Sequence, residues 1–146
     1  MQFQEKYLKY KKKYLELKKQ LGGVRYCAND DLSQMLYNIY GSIIQNLSSH
    51  YSYDIGATRG SIDRHPNSCN LWIWKHSYPY NVQLGDVNHF DLYYDVTNDT
   101  FNIQVKRDNR HIDKVNLGTG FQNYHNSEII HILTEQLIQN LDYYFP

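Results

Sequence analysis

Two stretches in the second half of the chain carry imidazole and carboxylate side chains at a spacing that could hold a metal ion. His89 and Asp91 form one His-x-Asp pair, and His111 and Asp113 form another. Alternate residues of a β-strand point to the same face of a sheet, and imidazole with carboxylate suits zinc, iron or manganese. The alternative is a solvated sheet face, which shows polar residues at the same alternate positions. The spacing alone leaves both interpretations open.

A second candidate site uses the same region and adds an amide and an amine. Asp91 is followed thirteen residues later by Gln104-Val105-Lys106. This pattern resembles the D…(E/Q)xK signature of the PD-(D/E)xK nuclease superfamily, although His89-Phe90 precedes the Asp where the family pattern has Pro. The resemblance implies that Asp91 and Gln104 hold Mg²⁺, and that Lys106 steadies an attacking hydroxide or the charge that develops on a phosphate.

These side chains need strands to position them. Alternating apolar and polar residues predict four strands, from Leu71 to His76, Asn88 to Val96, Phe101 to Arg107 and His111 to Leu117. A turn at Asn98-Asp99 places Tyr94 opposite Ile103 on an apolar face and Asp91 opposite Lys106 on the other face. A second turn puts His111 beside Lys106, with a bulge near Asp113. Both candidate sites are therefore expected on the face opposite the core.

Two amphipathic helices are expected to flank the strands. The first has its N-cap among Asn29, Asp30 and Asp31 and ends near His50, and the last begins near Ser127. Residues 54–70 are rich in turn-forming residues and are expected to form a long irregular loop. Residues 24–146 are thus predicted to form a single α+β domain, an antiparallel three- or four-stranded meander packed by two helices, preceded by a basic amphipathic helical arm.

The arm, residues 1–23, has a large apolar side chain at every third or fourth position. This stripe consists of Phe3, Tyr7, Tyr10, Tyr14, Leu17 and Leu21. The spacing predicts an amphipathic helix and is also the seam of a coiled coil. A helix of this length is marginal alone, so the stripe is expected to pack on another surface. Gly22 and Gly23 are expected to end the helix, and a cleavage site at this pair is the alternative.

Charge is distributed unevenly between the arm and the rest of the chain. Residues 1–23 hold seven Lys against two Glu, a formal charge of +5, which leaves −5 on the other residues. Lys9, Lys12 and Lys13 belong to the basic face of the arm. Such a face can bind the chain's own body, another copy, another protein, nucleic acid or an anionic surface, whereas a lysine face that only keeps the helix soluble needs no partner.

The arm also resembles a tract that opens many otherwise unrelated proteins of Mimivirus-type giant viruses. Residues 6–23, KYLKYKKKYLELKKQLGG, match the pattern K-Y-L-K-Y-K-x-K-Y-L-x-L-K-x-x-x-G-G. The resemblance implies a giant-virus accessory or virion-associated protein, made in the host cytoplasm or virus factory, that binds itself or another viral protein through the arm. It implies no catalytic activity. A Mg²⁺-dependent nuclease is the alternative function, and no cofactor is expected otherwise.

Composition limits the class of protein further. The 146 residues are 41% hydrophobic and only 21% charged, which fits one globular domain and excludes a disordered chain. No run approaches 18 apolar residues, and the lysine-rich start lacks the apolar stretch of a secretory signal, so a soluble intracellular protein without a membrane span is expected. Two cysteines, Cys27 and Cys69, are typical of a reducing compartment, and free thiols are expected.

Overall fold

The described part of the chain is an antiparallel sheet packed by two helices. A computed structural model describes residues 24–25, 27, 30–62, 65–77, 89–107 and 110–145. The helices are α1 (Asp31–His50) and α2 (Asn126–Tyr144). The strands follow one another across the sheet in chain order: β1 (Val24–Arg25), β2 (Ile55–Ile62), β3 (His65–Lys75), β4 (His89–Asp95), β5 (Thr100–Arg107) and β6 (Arg110–Thr119). The predicted α+β class is confirmed, with five long strands and the two-residue β1 where three or four strands were expected.

Helix α1 begins and packs as its sequence indicates. The Asp30 side chain accepts a hydrogen bond from the Ser33 backbone N–H at 2.8 Å, which satisfies one of the free donors of the first turn. Leu36, Ile43 and Leu47 are buried, so one stripe of the helix faces the core. The N-cap and the extent of this helix were both predictable.

Alternation along the strands divides the sheet into two faces. In β4 and β5, Phe90 pairs with Val105 and Leu92 pairs with Ile103, and all four side chains are buried in the core with residues of both helices. Phe90 also contacts the rings of Tyr144 and Phe145 at the end of α2. We call this the helix face. The opposite face, which carries Asp91 and Gln104, is the outer face.

Residues 54–70 are not the irregular loop that was expected, because they contain β2 and the first residues of β3. Trp74 of β3 packs directly on Gly56 of β2, where an added Cβ would lie 2.1 Å from the indole ring. On the helix face, Arg59 donates a hydrogen bond to the Tyr37 carbonyl at 2.8 Å and lies over the Tyr37 ring. These tertiary contacts explain a strand in a sequence of weak β-propensity.

The hairpin between β4 and β5 differs from the predicted register by two residues. Tyr94 pairs with Phe101 instead of Ile103, and Asp91 pairs with Gln104 instead of Lys106. The turn begins earlier than expected because Asp95 accepts hydrogen bonds from the following residues, including Thr97 N–H at 3.0 Å. A shift of two residues keeps every side chain on its predicted face, since the period of a strand is two.

A bulge between β5 and β6 is confirmed, with a consequence that was not predicted. Lys106 pairs with His111, as expected, whereas Val105 pairs with Asp113, so Ile112 is the extra residue. Asp113 therefore lies on the helix face, where the Tyr144 hydroxyl donates a hydrogen bond to its carboxylate. The expectation that Asp113 belongs to the outer face is wrong.

The expectation of free thiols is also wrong, because Cys27 and Cys69 form a disulfide. Their Cα atoms lie 4.9 Å apart across a sequence separation of 42 residues. The pairing of β1 with β2, and of β2 with β3, brings the two cysteines together. Closing a loop of this length stabilises a fold by about 4 kcal/mol in the chain-entropy model.

The arm, including its stripe and Gly22-Gly23, lies outside the described residues, so its helix stays a prediction. Helix α2 begins at Asn126, one residue before the expected start. Within the described ranges, neither helix is long and apolar enough to cross a membrane.

Candidate functional site

Asp91, Gln104 and Lys106 meet on the outer face near the middle of the sheet. Asp91 of β4 pairs with Gln104 of β5 on one side and with Trp72 of β3 on the other. Lys106 follows Gln104 at the next position of the same face, and its Nζ lies 3.7 Å from Asp91 Oδ2. The structure therefore brings together the three residues of the predicted nuclease-like site, with Lys106 reaching Asp91 diagonally.

Asp91 is buried although both described helices pack on the other face of the sheet. Its residue is only 3% exposed, and the neighbouring Trp72 and Gln104 have larger side chains that flank the short carboxylate. Oδ2 forms the ion pair with Lys106, while Oδ1 has no hydrogen-bond partner among the described residues. A buried carboxylate that is only partly paired is destabilising when it is charged.

The electrostatics of the site follow from this burial. Burial raises the pKa of Asp91 to about 6, although the charge of Lys106 acts in the opposite direction. Tyr40 of α1 is fully buried, and burial together with the Asp91 charge holds the pKa of its hydroxyl far above the ordinary value. Asp91 thus changes its charge near neutral pH, a property found at functional sites and also at buried structural pairs.

The four-residue metal site is not assembled. His89 and His111 both pair with Lys106, from β4 and β6 respectively, so they share the outer face with Asp91. Asp113 lies on the other face because of the bulge. Within the part of the chain that the structure describes, no group of three or more His, Cys, Asp or Glu side chains is close enough to hold a metal ion.

The described residues around Asp91 do not by themselves form a Mg²⁺ site. Mg²⁺ prefers six oxygen ligands and usually keeps several waters beside one or two carboxylates. Asp91 and Gln104 supply one carboxylate and one amide, and Lys106 already pairs with one carboxylate oxygen. The other oxygen is buried, so it does not open onto space for water ligands.

A second feature, missed by sequence reasoning, is an apolar cleft where α1 and α2 begin. Its volume is about 280 Å³. Val96 and Tyr124 are 56% and 43% exposed at its mouth. The lining side chains come from both helices, from β4 and β5 with the turn between them, and from the segment before α2: Leu32, Met35, Tyr94, Val96, Phe101, Phe121, Gln122, Tyr124, Asn126 and Ile129. The cleft lies just below the size range of pockets for drug-sized ligands, ~300 to 1,000 Å³, and suits one or two protein side chains.

The rim of this cleft is acidic. Four carboxylate residues lie within two positions, along the chain, of a lining residue and are not on the outer face of the sheet: Asp30, Asp31, Asp99 and Glu128. Asp99 contacts the lining directly, because its carboxylate accepts hydrogen bonds from the Tyr94 hydroxyl and from the Gln122 N–H. Asp95 is not part of this rim, because it lies on the outer face, where a hydrogen bond from the Asn98 side chain and, to a smaller extent, the charge of Lys114 lower its pKa.

Replacing Asp91 by Asn should change how stability depends on pH. The pKa of Asp91 in the folded state, about 6, lies above that of an unfolded carboxyl, so the folded state binds more protons between these two values. The contribution of this group is therefore fully present below about pH 4 and is lost as the pH rises through 6. Asp91→Asn should match the wild type at pH 4 and should be more stable at pH 8, by up to about 3 kcal/mol for a shift of about two pKa units.

Urea unfolding at pH 4, 6 and 8 measures this difference. The wild type, measured beside the variant at each pH, is the reference. A loss of stability in Asp91→Asn at pH 8 would show instead that the charged pair with Lys106 stabilises the fold.

Comparison with known proteins adds no relative to this geometry. No protein-family model matches the chain, and no significant match is found among curated proteins or solved structures. A function for this chain must therefore be argued from its own residues.

Proposed function

We propose that the chain is a giant-virus accessory or virion-associated protein that acts by binding, associating with itself or with another viral protein through its basic N-terminal helix. The observation that carries this proposal is the arm itself: six large apolar side chains at helical spacing on a segment of charge +5, attached to a body of charge −5. The resemblance of residues 6–23 to the opening tract of Mimivirus-type proteins supports the viral assignment.

Apolar burial should dominate the binding energy of the arm. A free helix would leave the six stripe residues in water, and burying each is worth ~1.5 to 3 kcal/mol. A surface ion pair is typically worth only ~0.2 to 1 kcal/mol. The lysines therefore orient the arm and speed its encounter with an acidic surface, while the stripe holds the complex together.

The sign of the body's charge favours a protein partner over nucleic acid. A polyanion would attract the arm but would be repelled by a body that carries an excess of five carboxylates. The described body instead offers an apolar cleft with an acidic rim. These features match a basic amphipathic helix better than they match a phosphate backbone.

The disulfide between Cys27 and Cys69 bears on where the protein acts. Disulfides persist in oxidising settings, which include the surfaces of virus particles, and they are rare in the cytosol. The disulfide thus supports the part of this proposal that associates the protein with the virion, while synthesis in the host cytoplasm or virus factory rests on the resemblance of residues 6–23.

Charge and apolar contacts in the arm can be separated by mutation. Tyr10→Asp with Leu17→Asp should abolish association, because two carboxylates interrupt the stripe. Lys9→Gln with Lys12→Gln should only weaken it, because the stripe is intact. Analytical ultracentrifugation of both variants and the wild type, in low and high salt, measures the change.

An assembly that dissolves in salt but survives the two aspartates would contradict this proposal. It would show that charge holds the complex together and that a polyanion is the partner of the arm.

A Mg²⁺-dependent nuclease of the PD-(D/E)xK type is the second candidate function. The observation that favours it is the meeting of Asp91, Gln104 and Lys106 on one face, with Lys106 Nζ 3.7 Å from the carboxylate. The observation that speaks against it is the burial of Asp91, whose carboxylate is the one acidic group of this trio.

Plasmid DNA with Mg²⁺ separates the two functions. We expect no Mg²⁺-dependent cleavage by the wild-type chain, and no difference between it and the variants Asp91→Ala and Lys106→Ala. Cleavage by the wild type that is lost in both variants, with circular dichroism unchanged, would overturn the binding proposal.

A further inference from the structure

We propose that the acidic-rimmed cleft is the receptor for the N-terminal arm of a second copy, so that copies of this chain join head to tail. The inference rests on the proposed function, because it names the surface to which the arm binds. It is carried by the shape of the cleft, the charge of its rim and the point at which the arm leaves the sheet.

The chemistry of the cleft suits the side chains of the stripe. Aromatic and aliphatic residues dominate its lining, and the two lining residues with amide side chains are Gln122 and Asn126. A tyrosine that inserts its ring among apolar side chains needs a polar partner for its hydroxyl, and an amide can supply one. An amphipathic helix laid across such a mouth buries anchor residues from successive turns, the usual mode of helix-in-groove recognition.

The exposed apolar residues at the mouth indicate a surface that is covered when the protein functions. Val96 and Tyr124 are both large, apolar and more than two-fifths exposed, and they border one cleft. Adjacent exposed apolar residues surrounded by polar ones mark binding sites more often than scattered single ones do.

Charge complementarity identifies the arm as the occupant. Four carboxylates lie close to lining residues along the chain, and the arm presents seven lysines against two glutamates. A basic helix placed with its stripe on the mouth would bring its lysines over the acidic rim. This arrangement steers the encounter and disfavours acidic partners.

The connection between the arm and the sheet is short. Val24 lies in β1, and the cleft residues Tyr94 and Val96 lie at and just past the end of β4, three strand spacings away. Three spacings amount to ~14 Å. The three residues from Leu21 to Val24 span at most ~11 Å, so Leu21 cannot reach the cleft of its own chain, whereas stripe residues nearer the N-terminus have enough chain to do so. We take a second copy as the donor because it can present the whole stripe and because the proposed function is self-association.

An arm-to-cleft contact can close in a pair only if the two copies exchange their arms reciprocally. A one-way contact instead leaves one free arm and one free cleft, and it grows into rings or chains. The wild type should therefore sediment either as a closed dimer or as an assembly that grows with concentration.

The cleft can be blocked without touching the core. Val96→Lys with Tyr124→Lys places two positive charges at the mouth, opposite the lysines of an incoming arm, and both positions are exposed. This variant should sediment as a monomer. Ile112→Lys with Tyr143→Lys is the matched control, because these residues are 55% and 77% exposed outside the cleft, and it should associate like the wild type.

Mixing two monomeric variants gives the sharpest test. The cleft variant has an intact arm, and Tyr10→Asp with Leu17→Asp has an intact cleft. Together they can form one functional contact and no second one, so their mixture should sediment as a one-to-one heterodimer that does not grow with concentration.

The other outcomes overturn the inference in distinguishable ways. If the arm variant is monomeric and the cleft variant associates like the wild type, the arm binds elsewhere, for example along an arm-to-arm seam, and the proposed function stands without this receptor. If both variants are monomeric and their mixture gives no heterodimer, the cleft does not receive the arm of another copy. If the wild type is itself monomeric, self-association and the inference fail together.

Discussion

Alternation of side chains along five paired antiparallel strands, interrupted by bulges in the β2–β3 and β5–β6 pairs, is the constraint on which the rest of the structure depends. Because each strand is in register with its neighbours, the odd and even positions collect into two faces with different chemistry. The helix face buries Phe90, Leu92 and Ile103 beneath both helices. The same register places Asp91 and Gln104 on the outer face. It also places the end of β4 and the start of β5 beneath the first turns of both helices, where the cleft lies.

The outer face contains a conflict between burial and charge. Asp91 lies between Trp72 and Gln104 on this face and is buried, yet one of its carboxylate oxygens lacks a hydrogen-bond partner within the described ranges. Lys106 offsets only part of this unfavourable desolvation, which is why the pKa of Asp91 rises to about 6. The burial of this pair agrees better with a structural role than with a catalytic one.

The sequence predicted the features that depend on local pattern. An N-cap of α1 among Asn29, Asp30 and Asp31 was predicted, and the structure selects Asp30. The apolar face of β4 and β5 follows from spacing alone and was confirmed. The register was missed by two residues because the Asp95 turn competes with the turn at Asn98-Asp99, a choice that composition does not decide. The three outer-face residues still met because a shift of two preserves the face.

Features that depend on distant contacts were not predictable. β2 is a strand because Trp74 covers Gly56 and Arg59 binds α1, and neither contact is visible in a local pattern. The disulfide joins cysteines 42 residues apart, and spacing does not indicate pairing. The cleft draws its lining from four separate stretches of the chain, so no motif could reveal it.

The central claim is that the body folds by itself and that the arm is the part that binds. A chain that begins at Val24 tests both halves of this claim in one comparison with the full chain. Circular dichroism should show the same α+β signature with a cooperative thermal transition, and sedimentation should show a monomer at every concentration at which the full chain associates. An unfolded shortened chain, or one that associates as strongly as the full chain, would contradict the account.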